Sequence, residues 1–582
     1  MSKSLVNSLE TAVMDYLRGL KAVYPGLFID IETQFVMLNR ERNNRVALLS
    51  GSGAGHEPYG AGFVGENMLT GYVAGNVFTA PPTGYIVTAL SNLAKLNKGG
   101  ILVIILNYTG DMLNFGLAIE NARNKGIQVE SVLVADDSGH MDTDIKTGFV
   151  GRRGLCGGVL MIKILGAMST AGRLLKELVV EGRCISCRMC SFGLAIKPCY
   201  LPCSAEPLWT IDDDQIEIGV GVHGEAGLAL INFCTTAELV RILVAQMLKI
   251  FVGRPGDSIV ALINDLGTCI DLELFTFSAE LKRQLTALQI NIVRLYTGKF
   301  LSSLDTKGVQ VCMLNVTGRD DWIKFLDLET EAFAWPVTRL SRLNERFPMR
   351  LTQLEIDRNF PQLEGLELNQ REGNIFKSTI LAVARALRNE EQKLNLLDKR
   401  GGDGDCGTAL RQLAEGFEKA INTLPVTKVA MTFLTLSKIA ETYMSGTSGA
   451  LYSLMFLGAA KNASSWSALW TGALEMVRKY SIAELGYRTM LDALIPACLA
   501  FEASTKEFGE KNWDKSLKFA LDKAIEGCGK TATMKARVGR ACYVDPSRIQ
   551  DVDPGAYGVV VWLTAIFKNL VKQEGEDTQC PI

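Results

Sequence analysis

Residues Ile101–Lys125 read ILVIILNYTGDMLNFGLAIENARNK. Six apolar residues, Ile101–Leu106, have the length of a buried strand. They run straight into a polar Asn-Tyr-Thr-Gly-Asp turn. The turn opens a segment of helical spacing, Met112–Lys125. The same grammar appears before it, where Val46–Leu49 ends in a glycine loop, and after it at Val129–Ala135. Strand, loop and helix in alternation predict an α/β architecture with buried strands. A second α/β block opens near Gln215–Val222 and continues through Ser258–Ile263 and Gly308–Leu314.

The character changes after about Trp335. Pro336, Pro348 and Pro361 punctuate a polar stretch that reads as a linker. From about Gly373 amphipathic patterns take over: Asn374–Leu396, Ala409–Leu424, Val429–Met444, Trp466–Tyr480, Asp514–Glu526 and Tyr557–Val571. They predict an all-helical domain. The expected division is a first α/β subdomain at 1–190, a second at 191–336, a linker at 337–372 and a helical domain at 373–582. A chain of 582 residues is too long for one core, which agrees with several domains.

Apolar content of 48% and charged content of 21% are those of a globular protein. A net charge of −2 offers no basic footprint for nucleic acid and no polybasic membrane patch. The N-terminus, MSKSLVNSLETAVMDYL, lacks the pattern of a secretory signal, and no run of 18 apolar residues occurs. Fourteen cysteines without such a signal point to reduced thiols in the cytosol.

Three loops of the N-terminal half present chemistry. In SGSGAGHEPYGAGFVG (Ser50–Gly65) glycines permit close backbone approach to a ligand and expose His56. Asp111 falls at the carboxyl end of a strand, the edge where open α/β sheets bind ligands, although an aspartate there also serves as a helix cap. In EIGVGVHGEAG (Glu217–Gly227) His223 follows an alternating strand. Two of the chain's three histidines, His56 and His223 but not His140, sit in glycine-rich loops at strand ends. A neutral imidazole is a competent nucleophile toward a ketone or aldehyde carbon, and would select carbonyl-bearing short sugars over plain polyols. A hydrogen-bonded core histidine is the structural alternative.

In the C-terminal half LNLLDKRGGDGDCGTAL (Leu394–Leu410) places Asp398, Asp403 and Asp405 among glycines. Three carboxylates so close repel one another unless cations neutralise them. Hard oxygen ligands favour magnesium, which bridges nucleotide phosphates. The spacing is not that of an EF-hand. SGTSGALY (Ser445–Tyr452), GYRTMLDALIPA (Gly486–Ala497), VGRACY (Val538–Tyr543) and DVDPGAYG (Asp551–Gly558) read as further glycine-rich loops between helices. Gly529-Lys530-Thr531 resembles the end of a P-loop, but the glycine required five positions earlier is Ala524 and the preceding segment is helical. Cys184, Cys187, Cys190, Cys199 and Cys203 have spacings that a zinc or iron–sulfur site also uses.

Taken together, these residues are similar to a known family. RVALLSGSGAGHEP, GFVGENMLTGYVAGNVFTAP, NYTGDMLNFGLA, RRGLCGGVL, GVGVHGEAG, LDKRGGDGDCGT, SGALY, RTMLDAL, GRACY and DPGA resemble, in order and over essentially the full length, blocks of the single-chain ATP-dependent dihydroxyacetone kinases, especially their animal members. The resemblance implies two α/β subdomains followed by a barrel of eight helices binding ATP with two magnesium ions. It implies that His223 forms a hemiaminal with dihydroxyacetone, while His56 and Asp111 orient the substrate and assist proton transfer. Gly53, Ala54, Gly55 and Leu106 fall at the family's other substrate-binding positions. Asp398, Asp403 and Asp405 match the metal ligands. Cys406, Gly407, Thr408, Ala409, Thr447, Ser448, Ser481, Thr489, Met490, Arg540, Asp553, Pro554 and Gly555 match the nucleotide contacts. A cytosolic homodimer is implied, with one chain's ATP domain near the other's substrate site. The resemblance also carries an alternative activity, FMN cyclase, which splits FAD with manganese or cobalt.

The chain departs from the pattern at named positions. Leu106 stands where the family has a lysine, Ala54 replaces a serine, Tyr487 an acidic residue and Ser481 a glycine, and the linker is short. These departures motivate a third reading, a non-catalytic paralogue acting by binding.

Overall fold

A computed structural model describes residues 4–139, 152–225, 227–251, 253–336, 362–444, 446–509, 512–545 and 549–577. Most of the expected linker, 337–361, lies outside them. The chain forms two compact units, Met1–Pro348 and Met349–Ile582.

The first unit opens with α1 (Ala12–Val23), β1 (Leu27–Asp30), β2 (Phe35–Leu38), β3 (Ala47–Ala54), β4 (Gly71–Val77), α2 (Thr83–Leu96), β5 (Ile101–Leu106), α3 (Thr109–Asn124) and β6 (Val129–Val134). The strands make one sheet in the order β1-β2-β4-β3-β5-β6. Its β4, β3, β5 and β6 run parallel. The central strands β3 and β5 are buried throughout because helices cover both faces, while the edge strand β6 exposes Glu130 and Leu133. After α4 (Gly157–Thr170) and α5 (Leu175–Cys187) come β7 (Met189–Lys197), β8 (Gln215–Ile218), β9 (Ala229–Asn232), α6 (Thr236–Leu248), β10 (Ser258–Asp265), α7 (Asp271–Ala287), β11 (Asn291–Gly298), β12 (Lys307–Asn315) and α8 (Asp320–Leu326). These strands form a second sheet, ordered β11-β10-β12-β7-β8-β9, in which only β10 and β11 pair in parallel.

Helix α4 packs against strands of both sheets, and every residue from Gly157 to Ser169 is buried. That explains its sequence, apolar all round rather than on one stripe. Its one cation, Lys163, donates to the Phe325 carbonyl at 2.8 Å, and burial pushes its pKa down to about 7.

The second unit is helical: α9 (Gln370–Asn389), α10 (Glu391–Lys399), α11 (Cys406–Ala420), α12 (Val429–Tyr443), α13 (Gly446–Lys461), α14 (Trp466–Tyr480), α15 (Leu491–Phe508), α16 (Trp513–Lys530) and α17 (Pro554–Asp577). Leaving aside the short α10, each helix packs on the next, and α17 returns to α9, so among the described residues eight helices close a ring. Asn369 caps α9 by accepting the Glu372 N–H at 3.0 Å, while Glu372 accepts the Asn369 N–H at 2.9 Å. Inside the ring lies an apolar cavity of about 140 Å³, lined among others by Phe417, Phe433, Met455, Trp470 and Trp562. By length and composition the Pro554–Lys572 stretch of α17 is apolar enough to cross a membrane; here it closes the ring.

Several local expectations need correction. Strand β3 runs through Ser50–Ala54, so the loop begins only at Gly55. The second sheet starts at β7, whose Cys, Ser and Gly residues hid its strand character. The stretch 374–396 is two helices joined at Glu390. The expected loop at Ser445–Tyr452 is helical from Gly446, and Leu491–Ala497 belongs to α15 despite Pro496. Small residues are needed in α13 for packing: a Cβ on Gly458 would lie 2.2 Å from the Gly472 carbonyl oxygen. Close packing there outweighs the poor helix propensity of glycine.

Candidate active site

Four rings meet at the carboxyl end of the first sheet. His56 follows β3, Phe78 follows β4, Tyr108 follows β5, and His223 lies in the loop between β8 and β9. The His56 and His223 ring centroids are 4.7 Å apart, edge to face. Tyr108 and Phe78 lie 4.4 and 5.5 Å from His223, and Phe78 stacks on His56 at 5.1 Å.

The turn that carries His56 is tied down on both sides. Gly55 adopts φ +95°, which favours glycine, and its carbonyl accepts the Leu304 N–H at 2.9 Å. A Cβ on Gly53 would lie 2.5 Å from the Thr79 nitrogen. Ala54 is buried in the core. His56 Nδ1 hydrogen-bonds the Ser302 carbonyl at 2.9 Å, which sets Nδ1 as the protonated nitrogen and leaves Nε2 as the acceptor. Nε2 is buried and has no partner.

Burial lowers the pKa of both histidines, to about 3 for His56 and about 4 for His223. The neighbouring His223 reinforces the shift of His56, and the Arg153 charge that of His223. Both rings are therefore neutral near pH 7. Asp111 sits in the first turn of α3, where Tyr108 is the N-cap residue, so Asp111 is not the cap. Its Oδ1 is buried without a partner, and burial raises its pKa to about 7. A buried carboxyl poised near neutrality is suited to proton transfer. Leu106 is 1% exposed; a Cβ on Gly158 of α4 would lie 3.2 Å from its Cδ2. It joins the core and offers no polar atom.

The second cluster stands at the start of α11. Asp398, Asp403 and Asp405 bring ligand oxygens within 4.8 Å of one another, the only such group of three or more His, Cys, Asp or Glu residues among the described residues. Asp398 lies in the last turn of α10, and its Oδ2 accepts the Asp405 and Cys406 N–H groups at 3.0 and 3.2 Å. A Cβ on Gly402 would lie 2.2 Å from Asp398 Oδ1, so the turn needs glycine there. Burial and the two like charges raise the Asp405 pKa. The hydrogen bond from Arg540 lowers that of Asp403. Exposed, mutually repelling hard oxygens fit magnesium. Cys190 and Cys199, by contrast, are buried while Cys187 and Cys203 are exposed.

The positions that the family resemblance gives as nucleotide contacts fall at helix ends of the second unit, and Arg540 among them pairs with Asp403. Cys406, Gly407, Thr408 and Ala409 form the first turn of α11, and Thr447 and Ser448 that of α13. Ser481 is the C-cap residue of α14. A Cβ on Gly555 would lie 3.1 Å from Asp553 Oδ1 and 3.2 Å from Met490 Cβ, which brings the start of α17 to the start of α15. Burial lifts Asp553 to about pKa 6.

Sequence reading missed several supports. Asn395 Oδ1 accepts the Thr408 N–H at 3.1 Å. Asp492, 1% exposed, accepts the Gly486 and Thr489 N–H groups. The Thr-x-x-Asp spacing before the apolar run of α15 was a usable signal. Asp492→Ala leaves two amides unpaired, and a loss of about 2–4 kcal/mol is expected in urea unfolding.

The chain matches the Dak1 domain over residues 18–334 and the DAK2 domain over residues 401–568. It is 36% identical to triokinase/FMN cyclase of Homo sapiens, covering 98% of this chain and 99% of that one. It is 32% identical to dihydroxyacetone kinase of Pichia angusta, covering 96% and 97%. The crystal structure of the dihydroxyacetone kinase from C. freundii in complex with AMP-PNP and Mg2+ aligns with TM-score 0.63 and 28% identity, covering 98% and 100%.

Proposed function

Because the chain belongs to the dihydroxyacetone kinase family, we propose that it phosphorylates dihydroxyacetone or glyceraldehyde with ATP, holding the carbonyl on His223. The observation that carries this reading is the pair of neutral histidines 4.7 Å apart at the strand ends, with Asp111, whose buried Oδ1 has no partner, in the first turn of the helix that Tyr108 caps. In the capture step a His223 ring nitrogen bonds to the carbonyl carbon. The C=O π electrons move to oxygen, which takes up a proton as the ring gives one up. Capture fixes a substrate too small to offer much binding surface. His56 Nε2, the open acceptor, orients a substrate hydroxyl. In the transfer step the bond from the γ-phosphorus to the ADP oxygen breaks and the hydroxyl oxygen bonds to phosphorus. The hydroxyl proton passes to Asp111.

Asp398, Asp403 and Asp405 would hold magnesium, which when bound would supply charge neutralisation for phosphoryl transfer. The amides opening α11 face the nucleotide with Thr447, Ser448, Thr489, Met490, Arg540 and Asp553–Gly555. We assign substrate binding to residues 1–336 and nucleotide binding to 373–582. A cytosolic homodimer that binds neither membrane nor nucleic acid completes the reading.

A coupled ADP-release assay with Mg-ATP and dihydroxyacetone tests it directly. Turnover by the wild type is the expected result. A well-folded protein that is inert toward trioses yet splits FAD with manganese or cobalt would instead be a cyclase, an activity in the relatives' name. Inertness toward both would make it a binding protein. The pH profile carries a further prediction. As a general base Asp111 must be ionised, so kcat/KM should rise with pH through about 7 and then level off. The Asp111→Asn variant should lack the rise.

A further inference from the structure

The loop that carries His223 is rich in glycine and has few side chains of its own to hold it. Gly219 and Gly224 take φ +78° and +68°. What fixes it comes from elsewhere in the first unit. Arg153, between β6 and α4, spends all three nitrogens of its guanidinium on this region. Nη2 donates to the Gly219 carbonyl at 2.8 Å, and Nη1 to Glu225 Oε1 at 2.9 Å. Nε donates to Asp137 Oδ2 at 2.6 Å. The other oxygen of Glu225 accepts the backbone N–H of His223 itself, at 2.7 Å. The guanidinium therefore grips the loop on both sides of the histidine, and Asp137, 1% exposed, anchors it to the core. The site is shaped for this clamp: a Cβ on Gly221 would lie 1.6 Å from Glu225 Oε1 and 2.7 Å from Arg153 Nη1. Tyr108, whose ring packs on His223, has a buried hydroxyl without a partner.

We propose that Arg153 is the positioning residue for the nucleophile, holding the His223 loop in the geometry that captures the substrate carbonyl. The proposal rests on the reading of His223 as the group that bonds substrate. Only arginine supplies three donors in one rigid plane, so lysine cannot replace it fully. The titratable and charged groups around His223 are His56, Tyr108, Glu225 and Arg153, with Asp137 behind the last. Of these, the fixed charge of Arg153 opposes protonation of the imidazole.

The test uses the full chain and dihydroxyacetone labelled with 13C at the carbonyl. Wild type should show the labelled carbon shifted from the ketone to the tetrahedral range. Arg153→Gln should lose that signal at matched substrate, with KM for the triose raised roughly 100-fold and kcat changed much less. ATP binding should be unchanged. Arg153→Lys should lie between the two. The acid limb of adduct formation should also move to higher pH in Arg153→Gln, which loss of a purely structural contact would not cause. A wild-type adduct that persists at full strength and with the same acid limb in Arg153→Gln overturns the proposal. No adduct in the wild type overturns the nucleophile reading instead. If Arg153→Gln fails to fold, Glu225→Gln breaks the same clamp; an unchanged KM in that variant counts equally against the proposal.

Discussion

In a His223→Ala variant, phosphorylation of dihydroxyacetone is expected to fall by roughly 10⁴-fold or more, while ATP binding is retained. The size follows from what the imidazole does. A triose has few atoms, so non-covalent contact alone holds it weakly and in many orientations. A bond to one carbon removes that freedom and presents the hydroxyl in a fixed direction. His56 Nε2 and Asp111 Oδ1, both buried without a partner, are the proposed contacts of a substrate held in this way. ATP binding survives because its candidate residues lie in the second unit. ADP release, read beside isothermal titration with an ATP analogue, separates the two effects. Preserved turnover in this variant would sink the covalent mechanism. Splitting of FAD, if present, should be untouched.

The second large effect is expected in Asp405→Asn, with kcat down on the order of 10²–10³-fold. Here stability and activity should move in opposite directions. The Asp405 carboxyl is pushed up by burial, Asp403 and Asp398. Removing its charge relieves that repulsion, so the metal-free variant should melt at the same temperature or slightly higher. The cost appears only with nucleotide, when the carboxylate is needed as a hard ligand. Chelation of the wild type should mimic the loss and added magnesium should reverse it. A variant that keeps full turnover would remove Asp405 from the metal site.

Much of the architecture was legible because the chain states it locally. Ile101–Leu106 is apolar, of strand length and followed by a turn, and it is β5 residue for residue. The alternation around it sufficed for an α/β unit, and the amphipathic runs beyond Gly373 for a helical one. Illegible features were those decided by distant partners. Helix α13 carries glycines, Gly449 and Gly458, whose value lies in close packing on neighbours. The ring closes through α17 and α9, the two ends of the unit. The histidine loops announced themselves by glycine and rarity. Arg153 did not, because Asp137, Gly219 and Glu225 lie 16, 66 and 72 positions away along the chain. A clamp of that kind exists only after folding.

Helix α4 has a further consequence. It is packed on its sides by both sheets, with no solvated stripe along which one could slide past it. The two halves of the first unit thus share one buried spine. On the proposed chemistry a small sugar is then held by the reversible bond to His223 rather than by closure, which makes the bond itself the latch.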